Sequence, residues 1–296
     1  MKSPASLPAL ALLAGASLWG VVWYPYRVLA QAGIYGLWAT LFTYGLALVL
    51  GVVIFPKHAR VLKRIPPAAM LMGLAIGWSN LGYVLGVLEG EVMRVLLLFC
   101  LAPLWTPPIA RIVLAERLDR AQLAVMGLAF AGAMAMLYRP ELGFPWPHSR
   151  AEWLGLAAGF LFALGNVMVR KLQDLSDPAK SIVIWAGVTV AALIHLPGSK
   201  VPGDRAWTLA YEQAALLGVI GIALFAMSLA LQYGLTRLPA NRAIVILLFE
   251  LVVAAVAAHY LAGESLRAQD WLGAALIVAA TFASGVTAKG TTDEHR

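Results

Sequence analysis

From Ser3 to Tyr26, from Val28 to Pro56 and from Ile65 to Leu88 the chain carries no charged side chain. Predominantly apolar runs of about 18 residues or more read as membrane-crossing helices. Charged residues make up only 12% of the 296 positions and hydrophobic ones 61%, and that charged share is about half that of a soluble domain. These features exclude an ordinary water-soluble enzyme, a disulfide-stapled secreted module and a disordered chain. The sequence is that of an all-α, polytopic integral membrane protein. Its single cysteine, Cys100, forms no intramolecular disulfide and implies no oxidising compartment. The net charge of +7 is read as basic loops that orient helices, not as a nucleic-acid surface. Lys2 followed by Leu7–Gly15, with Ala14-Gly15-Ala16 behind it, resembles a signal peptide. The apolar run continues to Tyr26, too far for a signal h-region, so a retained first helix is expected.

Cutting at charges, prolines and glycines predicts ten spans: Leu7–Leu29, Gly36–Phe55, Pro67–Leu88, Val92–Leu114, Gln122–Tyr138, Trp153–Leu172, Ser181–Leu196, Gln213–Leu235, Ala240–Leu261 and Trp271–Ala288. Each approximates the ~20 residues that cross a hydrocarbon core as helix. The fifth and seventh are short, which predicts tilt or local thinning. The runs lack period-two alternation, so a helical bundle is expected and not a β-barrel. With the N-terminus inside, 15 of the 22 Lys and Arg fall on the inner side and 7 on the outer, the loop of Lys57, Arg60, Lys63 and Arg64 contributing four. The positive-inside rule then predicts both termini in the cytoplasm.

The two five-helix halves, 1–144 and 145–296, echo each other. Ala14, Trp19, Arg27 and Leu29 align with Ala157, Phe162, Arg170 and Leu172 at an offset of 143, and Arg94, Glu116 and Leu118 with Arg242, Glu264 and Leu266 at an offset of 148. An odd number of helices per half makes the second half enter the membrane from the opposite side, and inverted repeats of this kind characterise transporters. Trp19-Gly20 with Arg27, Leu114-Ala115-Glu116-Arg117-Leu118, Gly263-Glu264-Ser265-Leu266 and Leu248-Phe249-Glu250 together resemble the EamA branch of the drug/metabolite transporter superfamily. Pro103 keeps the proline of that family's Leu-Glu-Pro stretch, whereas Leu251 replaces it in the second half. Gly90-Glu91 and Phe99-Cys100-Leu101-Ala102-Pro103 are similar to the YddG-type aromatic amino-acid exporters, although Cys100 and Ala102 depart from the more aromatic and polar residues expected there. The resemblance implies export of amino acids.

Glu250 is the most informative residue. Counted from Pro239 it lies about 16 Å along its helix at 1.5 Å per residue, near mid-membrane. An ionised carboxylate at that depth is costly and must face a cavity or a partner. A carboxylate that contacts an amino group or carries a proton satisfies this, and so does a protonated structural Glu bonded to a neighbouring helix. Ser79, Asn80 and Tyr83 share one face of span three, Phe162 and Asn166 one face of span six, and Phe225, Ser228 and Gln232 one face of span eight. Such arcs line a cavity or glue helices together. Trp19, Trp78, Phe99, Phe162 and Trp185 lie within spans and could enclose and stack on a planar substrate, or simply pack the core. Trp146, Trp153, Trp207 and Trp271, near span ends, read as interfacial belts. Pro25 and Pro103 are expected hinges, where helical hydrogen bonding is interrupted. Glu116 and Glu264 read as ties between short connections, and Asp119 with Gln122 has capping-box spacing.

The five histidines show no metal-ligand spacing. Walker, Rossmann and nucleophile-elbow signatures do not occur, and neither a metal nor a cofactor is expected. A secondary transporter of the bacterial cytoplasmic membrane accounts for these features best. The competing classes are a membrane-embedded enzyme, which would need a convergent Asp, His or Lys set, and a channel, which would need a charged ring. The spans carry no Arg or Lys at their centres, so the expected substrate is neutral, zwitterionic or cationic: an aromatic or other amino acid, with planar amines or lipophilic organic cations as the alternative. The expected partners are that solute and membrane lipid, with a monomer as the working unit.

Overall fold

The computed structural model describes residues 6–34, 36–90, 92–116, 119–138, 140, 146–199, 201–263 and 266–290. Every regular element among them is helical. Spans one to three are α1 (Ser6–Gln31), α2 (Leu37–Ile54) and α3 (Pro67–Glu89), and span four divides into α4 (Val92–Phe99) and α5 (Ala102–Leu114). Spans five to eight are α6 (Arg120–Leu137), α7 (Arg150–Lys171), α8 (Asp177–His195) and α10 (Ala214–Arg237). Span nine divides into α11 (Ala240–Leu247) and α12 (Phe249–Ala262), and α13 (Ala268–Gly290) follows. Nine of these spans are long and apolar enough to cross a membrane, and α13 holds a shorter apolar stretch, Ala268–Ala283, among the described residues. The expected count of ten is therefore met in nine.

One expectation is corrected. Span five stays short, with α6 at 18 residues, but span seven reaches 19 because α8 begins before its apolar run, with a polar N-terminal turn. Asp119 caps α6 in a full capping box with Gln122, and the Ser176 side chain accepts from the Ala179 amide at the start of α8. The seventh connection holds the amphipathic α9 (Gly203–Glu212).

The break in span four has a local cause. Pro103 lacks an amide hydrogen and its ring crowds the carbonyl four residues back, that of Phe99; α4 ends at Phe99. Cys100 and Leu101 form a tight turn, with Leu104 N donating to Leu101 O at 2.8 Å. Span nine breaks at Leu248, 148 positions later, without a proline.

In the bundle, α3 packs on α7 and α8, α1 packs on α10 and α12, and α2 lies against both α8 and α10. Both pieces of span four rest on α7, and both pieces of span nine touch α1. Helix α13 lies along α6, where a Cβ on Gly132 would come within 2.7 Å of the Gly273 carbonyl oxygen. Small residues let membrane helices approach this closely and recover dispersion energy that lipid does not otherwise reward. The large central core draws residues from both halves, among them Leu12, Ala47, Met72, Ala163, Trp185, Leu224 and Ile244.

Candidate functional site

The breaks in spans four and nine face a common cleft. It is lined by Phe99, Cys100, Ala102, Pro103, Phe162, Ile244, Leu247, Leu248 and Glu250, with an empty volume of about 240 Å³ that includes its open side. Glu250 is the only acidic or basic side chain in that lining. It stands in the first turn of α12, directly after the Leu248 break, and is half-buried. Its backbone is pressed against span one, since a Cβ on Gly20 would stand 2.6 Å from the Glu250 carbonyl oxygen.

The opposite wall is aromatic. Tyr83 of α3 meets Phe99 with ring centroids 5.3 Å apart, and Phe99 meets Phe162 at 5.4 Å, both tilted. The spacing suits offset aromatic contact. Gly159 makes this wall possible: a Cβ there would lie 2.5 Å from the Phe99 carbonyl oxygen. Asn166, one helical turn beyond Phe162, is buried, and its Nδ2 has no hydrogen-bond partner among the described residues. A buried, unpaired amide donor costs free energy, all the more where no water competes to satisfy it.

The structure thus brings Phe99, Phe162, Pro103 and Glu250 to one cleft, with Tyr83 and Asn166 beside them. The remaining candidates stand elsewhere. Trp185 is fully buried, donates from Nε1 to Ser228 Oγ at 2.9 Å and stacks on Phe225 at 5.2 Å. Its indole fills the slot that Gly51 leaves in α2. Trp78 is exposed on α3 and meets His195 edge-on at 4.8 Å. Asn80 donates to the Tyr44 hydroxyl at 3.3 Å and keeps a buried Oδ1 with no hydrogen-bond partner among the described residues. Trp19 is half-buried against the central core, and Pro25 lies inside α1. Cys100 and Leu248 were named in sequence motifs, but nothing in the sequence marked them as the positions of the two breaks. The 148-residue offset that aligns Arg94 with Arg242 also relates these two positions.

Polar residues gather at the span ends. Glu116 does tie a connection, accepting from the Ala240 amide at 3.0 Å and meeting Arg170 Nε at 3.5 Å. Lys180, fully buried, donates to Thr236 Oγ1 at 2.8 Å, and Arg237 pairs with Asp177 at 2.6 Å. Glu264 lies outside the described residues. An open depression of about 820 Å³ at this end is lined by 173–178, Thr236 and Arg237; it lies between the connection before α8 and the ends of α8 and α10.

Residues 149–286 match the EamA-like transporter family. A probable amino-acid metabolite efflux pump of Salmonella typhimurium (strain LT2) is 27% identical over 278 residues, covering 88% of this chain and 90% of that protein. An uncharacterized transporter of Archaeoglobus fulgidus is 24% identical over 220 residues, 72% of this chain and 75% of that one. A solved crystal structure shares the fold, with a TM-score of 0.74 at 16% identity over 95% of this chain and 98% of the other. The chain thus resembles EamA-like transporters over residues 149–286 and carries, among the described residues, nine helices long and apolar enough to cross a membrane.

Proposed function

We propose that the protein exports aromatic and other amino acids across the bacterial cytoplasmic membrane, as a monomer, by alternating access between two inverted five-helix repeats, 1–144 and 145–296, with both termini inside. The observation that carries this reading is the cleft at the two helix breaks, aromatic on one wall and carrying a lone carboxylate on the other. Tyr83, Phe99 and Phe162 contact the ring of the substrate. Asn166 Nδ2 donates to its carboxylate, and Glu250 accepts from its ammonium group or carries a proton. Half-helix ends and unwound turns at mid-membrane are the usual seat of substrates in repeat-built transporters.

The repeat is supported by the pairing of helices. Exchanging the halves turns the contact of α3 with α7 into that of α10 with α1, and that of α3 with α8 into that of α10 with α2; all four contacts occur. Breaks 148 residues apart at Cys100 and Leu248 fit the same exchange. The cleft encloses about 10 Å³, far below the roughly 300–1,000 Å³ of pockets that enclose small molecules. Its walls must therefore part to admit an aromatic amino acid. The name of the Salmonella relative, an amino-acid metabolite efflux pump, agrees with the direction and substrate class.

Flux of labelled phenylalanine and tryptophan into proteoliposomes, with and without a pH gradient, tests the proposal. The expected result is saturable flux for both. Movement of a phosphorylated sugar or an inorganic ion in place of every aromatic amino acid would remove the substrate reading. A second reading, export of lipophilic organic cations, is favoured by one observation: Glu250 faces the cleft with no cation in the lining. Competition between tyrosine and its decarboxylated amine separates the two.

A further inference from the structure

Spans four and six are pinned together at both ends by ion pairs of opposite sense. At one end Arg94, in the first turn of α4, meets Glu152, in the first turn of α7, with Nε to Oε1 at 3.0 Å and Nη2 donating to Oε2 at 3.0 Å. Both side chains are about nine-tenths buried. Arg94 Nη2 donates also to the Trp146 carbonyl at 2.9 Å, and Glu152 Oε2 accepts from the His148 amide at 2.9 Å. At the other end Glu116, just past α5, meets Arg170 in the last turn of α7 at 3.5 Å, and Arg170 Nη1 donates to the Thr236 carbonyl at 2.6 Å. Span four thus carries the cation at one end and the acid at the other, and α7 carries the complement. Between the pins lie Phe99 and Phe162, the aromatic wall of the cleft.

The second half lacks one of these pins. The counterparts of spans four and six are spans nine and one. Arg242 occupies the place of Arg94, but Ala9, 143 residues before Glu152, supplies no carboxylate. Among the described residues Arg242 pairs with no acid, and its buried Nε has no hydrogen-bond partner. Toward spans four and six, that end of span nine is held by the hydrogen bond from the Ala240 amide to Glu116 Oε2 at 3.0 Å and by the packing of Ala240 with Ala110 and Val167, while α11 also packs on α1, α6 and α13.

We propose that spans four and six form a fixed wall that keeps its shape through transport, with Arg94, Glu152, Glu116 and Arg170 as positioning residues. The cleft opens where span nine leaves that wall, starting at its Arg242 end. Parting the Arg94–Glu152 pair would strand two charges away from water, whereas parting Ala240 from Ala110 gives up one hydrogen bond to Glu116 and exposes apolar groups. The inference rests on the transport reading above, because a fixed wall has meaning only for a cleft that opens.

Two measurements test it, one of them independent of any substrate. Double-cysteine variants R94C/E152C and E116C/R170C, in the full chain with the buried Cys100 retained, are joined by a short bifunctional thiosulfonate. A110C/A240C is joined by oxidation. Flux of labelled phenylalanine in each is compared before and after linking, with reagent-treated wild type as reference. Linking spans four and six at either end leaves flux unchanged, and linking 110 to 240 abolishes it until reduction. Loss of flux on either span four–six link, or persistence with 110 linked to 240, overturns the proposal.

Spin labels at the exposed positions Arg111 and Lys171, and at Arg111 and Pro239, give the second test. The first pair holds one narrow distance across detergent, lipid bilayer and added phenylalanine, and the second shows two or more. A broad or shifting 111–171 distance overturns the fixed wall even if transport is intact. Should no aromatic amino acid be carried, the label distances in detergent and bilayer still decide the matter.

Discussion

A carboxylate at the depth of Glu250 is tolerated only where something answers its charge. The cleft around it supplies aromatic and aliphatic groups and no cation, so the substrate's ammonium group or a bound proton is left to do so. Glu250→Gln keeps the shape and removes the charge. A hydrogen bond to a charged group contributes about 1.5–3 kcal/mol, so flux of phenylalanine falls roughly 10- to 100-fold while thermal stability in detergent stays level. Full flux at every pH and for every substrate charge would make Glu250 a structural residue. Asn166 offers a sharper discrimination. Asn166→Leu removes an amide whose Nδ2 has no partner among the described residues, so stability is kept. Flux of amino acids drops by about tenfold or more, the loss of one charge-assisted bond, and flux of the corresponding amines does not. Equal losses for acid and amine would show that Asn166 does not meet the carboxylate.

At the scale of the element, the broken spans are the functional feature, and Pro103 is the cause of one of them. Pro103→Ala restores an amide that can donate to Phe99 O and lets α4 run on into α5. Folded yield is expected to hold or rise and flux to fall, because the turn at Cys100 that shapes the cleft straightens. Unchanged transport in this variant would mean that the break is dispensable. Gly159→Ala acts on the same wall from α7. The added methyl would stand 2.5 Å from Phe99 O, and overpacking of this kind costs about 1–3 kcal/mol. A lowered melting temperature and weaker phenylalanine flux should appear together, with Gly127→Ala, which has open space around it, as the silent control.

For the whole molecule, the two ends of the bundle differ in chemistry. Lys57, Arg60, Lys63 and Arg64 are exposed at one end. Trp146, Trp153, Trp207, Tyr211, Tyr260 and Trp271 are exposed at the other, in the manner of an interfacial aromatic belt. Placing the basic end in the cytoplasm predicts that Arg60→Cys reacts with a membrane-impermeant thiol reagent only from inside and Trp207→Cys only from outside. The reverse pattern in intact cells would invert the topology. The same arrangement sets the direction of the opening proposed for span nine, since Arg242 and Glu116 lie at the basic end.

The runs without charge, the capping box at Asp119, the basic loop at Lys57–Arg64 and the 148-residue offset between Arg94 and Arg242 are local or periodic features, so the sequence alone determined a polytopic helical bundle and pointed to a repeat. It also marked Phe99, Phe162, Pro103 and Glu250 as residues worth placing. Helical periodicity says which residues share a face, but not which neighbour that face meets. Trp185 and Phe162 are both aromatic and both within spans, yet one fills the slot at Gly51 and the other walls the cleft. Only the packing of helices distant in sequence separates them. The same holds for the Arg94–Glu152 pair, 58 residues apart, in which each charge alone reads as an ordinary loop residue. The Leu248 break likewise became visible only in three dimensions, because no proline or glycine announces it.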